Sequence, residues 1–149
     1  MRALKFRVWN KKREAMAFVS AMFLSELEYK TAVEIHYPFN HKIEKTQEIV
    51  NLSEVELMQY IGLKDKKGKE IYEGDIVADI LDGEILMVGD IQFNFGTFGV
   101  EWVDCKKNKS MVGAWGQKHN LRRLDDDIVD RIEVIGNIFQ NPELLGDLK

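Results

Sequence analysis

Along most of this chain, apolar residues recur at every second position in short runs broken by glycine, proline and charged clusters. That is the pattern of a protein built from strands. Leu4, Phe6 and Val8 alternate with Lys5, Arg7 and Trp9, which predicts a strand over Leu4–Trp9 with its aliphatics on one face. Thr31, Val33 and Ile35 alternate with Ala32, Glu34 and His36, which predicts a second strand over 31–37 that Pro38 stops. Between them, 15–27 leaves helix and strand open, because Ala and Met favour the one while Phe18, Val19 and Phe23 suit either. The loop Phe39–Lys45 reads as solvated, and Ser53 with Glu56 makes a capping-box pattern that the β-type sequence after it overrides.

From Leu57 the strand signals become dense. LMQYIGL leads into the charged run KDKKGK around Gly68, a hairpin signal, and the turn Glu73-Gly74-Asp75 launches IVADI. Asp82-Gly83 ends that strand, and ILMV, DIQFNF and FGVEW follow as short β-type runs. Lys106 to His119 is polar and carries glycines, so it reads as a loop. Asp127 is placed to cap one helical turn before the closing strand RIEVIGNIF, and Asn141-Pro142 opens a last turn into PELL. The pattern predicts a mainly β fold of the β-rich α+β type. An N-terminal β/α segment, 1–56, packs on a barrel or sandwich formed by 57–149.

Composition adds limits. At 149 residues with 45% hydrophobic content the chain can bury a core without metals or disulfides, and a net charge of −4 with mixed signs argues against disorder. Before Glu14 the charged side chains are all basic, whereas Asp125, Asp126, Asp127 and Asp130 open an acidic tail. Attraction between those ends would serve within one molecule or between neighbours in an oligomer. The lone Cys105 excludes an internal disulfide framework and fits a reducing cytoplasm. No apolar run approaches the ~20 residues of a membrane-spanning helix.

Three segments are similar to a known family. LMQYIGLKDKKGKEIYEGDIV (Leu57–Val77), the opening KFRVWN (Lys5–Asn10) and the closing VIGNIFQNPELL (Val134–Leu145) resemble the motifs of YopX proteins, encoded mainly by bacteriophages and prophages of Gram-positive bacteria. Residues 11–56 carry no matching motif. The resemblance implies a small SH3-like barrel and an oligomer, and it brings no catalytic residues with it.

The candidate chemistry is thin. No glycine pattern suits a phosphate cradle. Glu70, Glu73 and Asp75 form the best carboxylate cluster, but Gly74 turns the chain between them, which favours a solvated rim over a cation site. Asp125–Asp127 lack calcium-loop spacing. His36, His41 and His119 with Cys105 lack zinc spacing, and Cys105 beside Lys106 and Lys107, with His119 as base, lacks an orienting third group. No cofactor or metal is therefore expected. The strongest constellation is Lys106, Lys107, Lys109, Lys118, Arg122 and Arg123 around Trp115, since basic groups that follow phosphates beside an aromatic suit single-stranded nucleic acid.

The reading favoured is a cytoplasmic, non-enzymatic interaction protein that self-associates and engages a phage or host protein. An accessory single-strand binder using 106–123 is the first alternative. An enzyme with catalytic groups drawn from distant positions is the second.

Overall fold

The computed structural model describes residues 4–23, 31–38, 47–94, 96–104, 109–110, 121–124 and 126–146. The chain divides into two compact units, Met1–Tyr60 and Ile61–Lys149. Both are built of antiparallel strands, which confirms the mainly β expectation. No helix among the described residues is long and apolar enough to cross a membrane.

In the first unit the strands are β1 (Phe6–Asn10), β2 (Ala15–Phe23), β3 (Ala32–His36), β4 (Gln47–Asn51) and the start of β5 (Val55–Lys64). Their hydrogen-bonded order is β4-β3-β2-β1-β5. The undecided stretch is settled as far as Phe23, because β2 pairs with β1 on one side and β3 on the other. Two ladders outweigh the helical preference of Ala and Met, and Ala17 is small enough to bury fully against Val8, Val33, Ile35, Tyr37 and Val55. The N-terminal helical content expected from sequence is thus replaced by strand as far as Phe23, and among the described residues of this unit the helical element is a 3-10 turn at Leu52–Glu54. That turn also corrects the capping box. Glu54 rather than Glu56 reaches back to Asn51, while Glu56 pairs with Lys11 at 2.7 Å. In β1, Val8 is buried as expected, but Leu4 lies exposed outside the strand and Arg7 on the opposite face is buried.

In the second unit the end of β5 neighbours β6 (Glu70–Tyr72). The other sheet holds β7 (Asp75–Leu81), β8 (Glu84–Asn94), β9 (Thr97–Asp104), β10 (Lys109–Ser110), β11 (Leu121–Arg123) and β12 (Ile132–Asn137), with α1 (Asp126–Val129) before β12. Its order is β10-β9-β8-β7-β12, and β11 also pairs with β9. β7 is central. Val77 packs with Ile61, Ile71, Ile91, Val100, Trp102, Ile128 and Ile132, and the alternate residues Ile76 and Ala78 pack with Val88 and Leu145. Burial on both faces explains why IVADI reads as a nearly continuous apolar run. Asp82 and Gly83 both have positive φ, 51° and 84°, the geometry that closes β7 and β8 in a two-residue hairpin.

The expected SH3-like closure is not present among the described residues. The ladder of this sheet ends at β10 and β11 on one side and β12 on the other, and β5 with β6 belongs to the first sheet's hydrogen-bonded order. Ile61 of β5 and Ile71 of β6 reach the core through side chains, so the core is covered without the ladder that closure requires.

Gly89 of β8 lies opposite Trp102 of β9. A Cβ there would overlap the Glu101 carbonyl oxygen and lie 2.7 Å from the Val100 side chain. Gly89→Ala is expected to destabilise by about 1–3 kcal/mol in urea unfolding, with the far-UV β signature of the folded state kept.

Candidate functional site

The charged turns that looked most like chemistry hold the backbone together. In the Asp65–Lys69 turn, Asp65 Oδ1 accepts the N–H groups of Lys67 and Lys69, each at 2.9 Å. Its Oδ2 accepts the Val134 N–H of β12, also at 2.9 Å. Gly68, at φ 82°, donates to the Asp65 carbonyl at 2.8 Å. Lys66 and Lys67 pair with Glu133 at 2.8 and 2.6 Å, and the two ammonium groups hold the Glu133 carboxyl below its ordinary range. The turn is solvated as its charge predicts, but Asp65 itself is buried.

The carboxylates Glu70, Glu73 and Asp75 do not converge on a cation. Asp75 is 1% exposed and accepts the Tyr72 N–H at 2.8 Å, so the solvated rim expected there is corrected at this residue. Glu70 instead accepts the Tyr72 hydroxyl at 2.9 Å. Gly74, at φ 74°, donates to the Ile91 carbonyl and accepts from Ile138, which pins the turn to β8 and to the C-terminal segment. There Asn137 Oδ1 accepts from the N–H groups of Phe139 and Gln140 at 3.1 and 2.9 Å. Among the described residues no group of three His, Cys, Asp or Glu side chains is placed to hold a metal ion.

Of the basic constellation, Lys106, Lys107, Trp115 and Lys118 lie outside the described residues, as do Cys105, His41, His119 and Asp125. Lys109 is in β10, opposite Asp104, and Arg122 and Arg123 are in β11, opposite Val100 and Gly99. Both short strands run antiparallel to β9 in one continuing direction, so they are two pieces of one edge line. Residues 111–120 are inserted between them. Asp127 falls inside α1 rather than capping it, and the ring of His36 stacks on Phe18 at 5.6 Å.

The sequence did not announce the polar cluster at the β1–β2 turn. Asn10 Oδ1 accepts the Lys12 and Arg13 N–H groups at 3.0 and 3.1 Å, which folds the turn back on its own strand. The Asn10 amide donates to the Tyr37 hydroxyl at 2.8 Å, and that hydroxyl donates to Glu48 at 2.6 Å. Arg13 closes the cluster with a bidentate pair to Glu48, both contacts at 2.7 Å. Burial and the Glu48 carboxylate raise the Tyr37 pKa well above its ordinary value of 10.0. A cleft of about 420 Å3 opens here, lined by Asn10, Lys12, Arg13, Glu48, Ile49, Val50 and Glu54. The signal for it was the Asn10 that ends KFRVWN, followed at once by basic residues.

The first unit also exposes large apolar side chains on one sheet face. Phe18 lies opposite His36, Phe23 opposite Ala32, and Ile49 opposite Glu34. Ala32, Glu34 and His36 alternate with the buried Val33 and Ile35, so all of these residues share the face turned away from that core. Phe18 is 42%, Phe23 48% and Ile49 64% exposed.

Fold and site together define a mainly β protein of two antiparallel units whose polar motifs stabilise turns and whose first unit exposes Phe18, Phe23 and Ile49 on one sheet face. The YopX protein family model matches residues 5–146, and the chain belongs to that family. It is similar to a solved structure, protein EF1440 from Enterococcus faecalis, at 28% identity and a TM-score of 0.61, over 97% of this chain and 99% of that one. No curated protein matches it.

Two outcomes test this assignment of roles. Asp65→Ala strips the acceptor from three backbone donors at once and is expected to cost about 3 kcal/mol in chemical unfolding, with Asp65→Asn costing less. Tyr37 keeps its proton to higher pH in the folded chain than in the unfolded one. Its contribution is therefore complete below pH 10.0 and falls as pH rises above that value. Thermal melts across that range should show a decline that Tyr37→Phe flattens.

Proposed function

We propose that the protein is a non-catalytic assembly module of a bacterial cytoplasm, encoded by a phage or prophage, that associates with itself and presents the assembly to a phage or host protein. The observation that carries this reading is the exposed face bearing Phe18, Phe23 and Ile49, because apolar side chains grouped on one sheet face are characteristic of surfaces that other proteins cover. A second support is the use of polar groups in the matched segments. Asp65, Asp75 and Asn137 each have side-chain oxygens engaged by backbone N–H groups, which commits them to folding rather than to a substrate.

The second reading is an accessory single-strand binder. It is favoured by the edge line that places Lys109, Arg122 and Arg123 along β9, with residues 111–120 inserted between the two strands. Lys106, Lys107, Trp115 and Lys118 complete that candidate surface in sequence.

Light scattering on the purified chain separates the two. The assembly reading expects a defined multiple of 17.3 kDa that ignores short single-stranded DNA and RNA at low and moderate salt. A single-chain mass at every concentration overturns it. A complex with nucleic acid that dissolves as salt rises, and that is lost when Lys106, Lys107, Arg122 and Arg123 are neutralised, establishes the second reading instead.

A further inference from the structure

β4 ends its sheet's hydrogen-bonded order, so one of its edges has no strand beside it among the described residues. The register shows which backbone groups that edge offers. Leu52 donates to the Thr31 carbonyl at 2.8 Å, directly continuing the pairs Asn51 with Ala32 and Val50 with Val33. In an antiparallel ladder alternate residues bond to the same neighbour, so Val50 and Glu48 turn their backbone groups toward β3. Gln47, Ile49 and Asn51 turn theirs away from it. The Asn51 N–H is already engaged by the Glu54 carboxylate at 3.1 Å, which agrees with that parity. Ile49 stands at the centre of the outward set with a 64% exposed side chain, and Glu48, Ile49 and Val50 line the cleft beside the β1–β2 turn.

The strand is self-complementary about Ile49. Turned antiparallel against a copy of itself with Ile49 on the twofold axis, QEIVN sets Ile49 against Ile49, amide Gln47 against amide Asn51, and Glu48 against Val50. No like charges oppose each other, and Glu48 is already neutralised by Arg13. A pivot on Glu48 would instead oppose two carboxylates.

Resting on the self-assembly reading, we infer that the open edge of β4 pairs antiparallel with β4 of a second copy, Ile49 meeting Ile49. In that arrangement the two Ile49 residues exchange backbone hydrogen bonds and each Gln47 N–H donates to the opposing Asn51 carbonyl. Glu54 occupies the Asn51 N–H and so limits the ladder's length. Five paired residues bury much less than the ~800 Å2 per partner of a standard interface, so this contact alone is weak and depends on concentration.

The test uses the full chain and two variants at Ile49. Because the Ile49 N–H points away from β3, Ile49→Pro removes an outward donor without breaking the β3–β4 ladder, and Ile49→Lys places a charge on the edge. Mass is read by light scattering over a concentration series, and folding by thermal melting. The wild-type chain is expected to gain mass with concentration and to slow exchange at the Ile49 amide as it does so. Both variants are expected to melt as the wild type does and to associate at least about tenfold more weakly. Should Ile49→Pro fail to fold, Ile49→Lys decides. A folded variant that assembles like the wild type overturns the edge pairing and leaves self-assembly standing. A wild-type chain that never exceeds one copy overturns both.

Discussion

The carboxylate of Asp65 is the contact on which the second unit most depends. It accepts the N–H groups of Lys67 and Lys69 within its own turn and that of Val134 on β12, so one buried side chain joins segments separated by 69 positions in sequence. Without the carboxylate three backbone N–H groups lose their acceptor at once, two in the exposed turn and one on half-buried β12. The turn cannot drift without losing the β12 contact. β12 in turn flanks β7, the strand buried on both faces, so the turn's geometry is transmitted directly to a strand of the core.

The same device recurs at three other turns. Asp75 fixes Tyr72, Asn137 fixes Phe139 and Gln140, and Asn10 fixes Lys12 and Arg13. In every case a short Asp or Asn side chain accepts from N–H groups that the strand ladder leaves over. These residues sit in the segments that match the family, which gives a physical reason for motifs so dense in Asp, Asn and Gly. They specify where strands stop. Gly136 belongs to the same set, since a Cβ there would meet Asn141 Oδ1 at 2.7 Å and push away the turn that seats Leu145.

How much of this was legible depended on whether burial followed one face. The run IVADI, the Asp82-Gly83 turn and the β content after it were readable because apolar content and turn residues agree there, although ILMV and DIQFNF, read as separate runs, form the single strand β8 through Gly89. β4 was not read at all. In QEIVN the adjacent Ile49 and Val50 point to opposite faces, so neither a period of two nor a buried run stands out. β2 stayed open because its core-facing positions include Ala15 and Ala17, whose helical preference only a ladder on each side overrides. Arg7 and Asp75 misled in the opposite sense, being charged residues that the fold buries. The turns at Asp65–Lys69 and Glu73–Asp75 were located, whereas the one after Asn137 was read as strand to Phe139. Partners were invisible throughout, since Val134 lies far from Asp65 and Glu48 far from Asn10 and Arg13.

An unpaired strand edge beside exposed apolar side chains is a hazard for any soluble chain, and proteins commonly blunt it with proline, inward charge or a covering segment. Here, among the described residues, the blunting is partial. Glu54 caps the Asn51 end, and Glu48 carries a charge that Arg13 and Tyr37 hold at the turn. Neither reaches Ile49, at the centre of the strand, whose side chain points away from the core. A lysine or a proline at that position would discourage pairing, whereas a β-branched apolar residue favours it. The outward set Gln47, Ile49 and Asn51 therefore reads as an edge restricted in length and register rather than one closed to partners. Restriction of that kind suits a surface meant to join one defined strand, because a short ladder flanked by a capped end tolerates few alternative alignments.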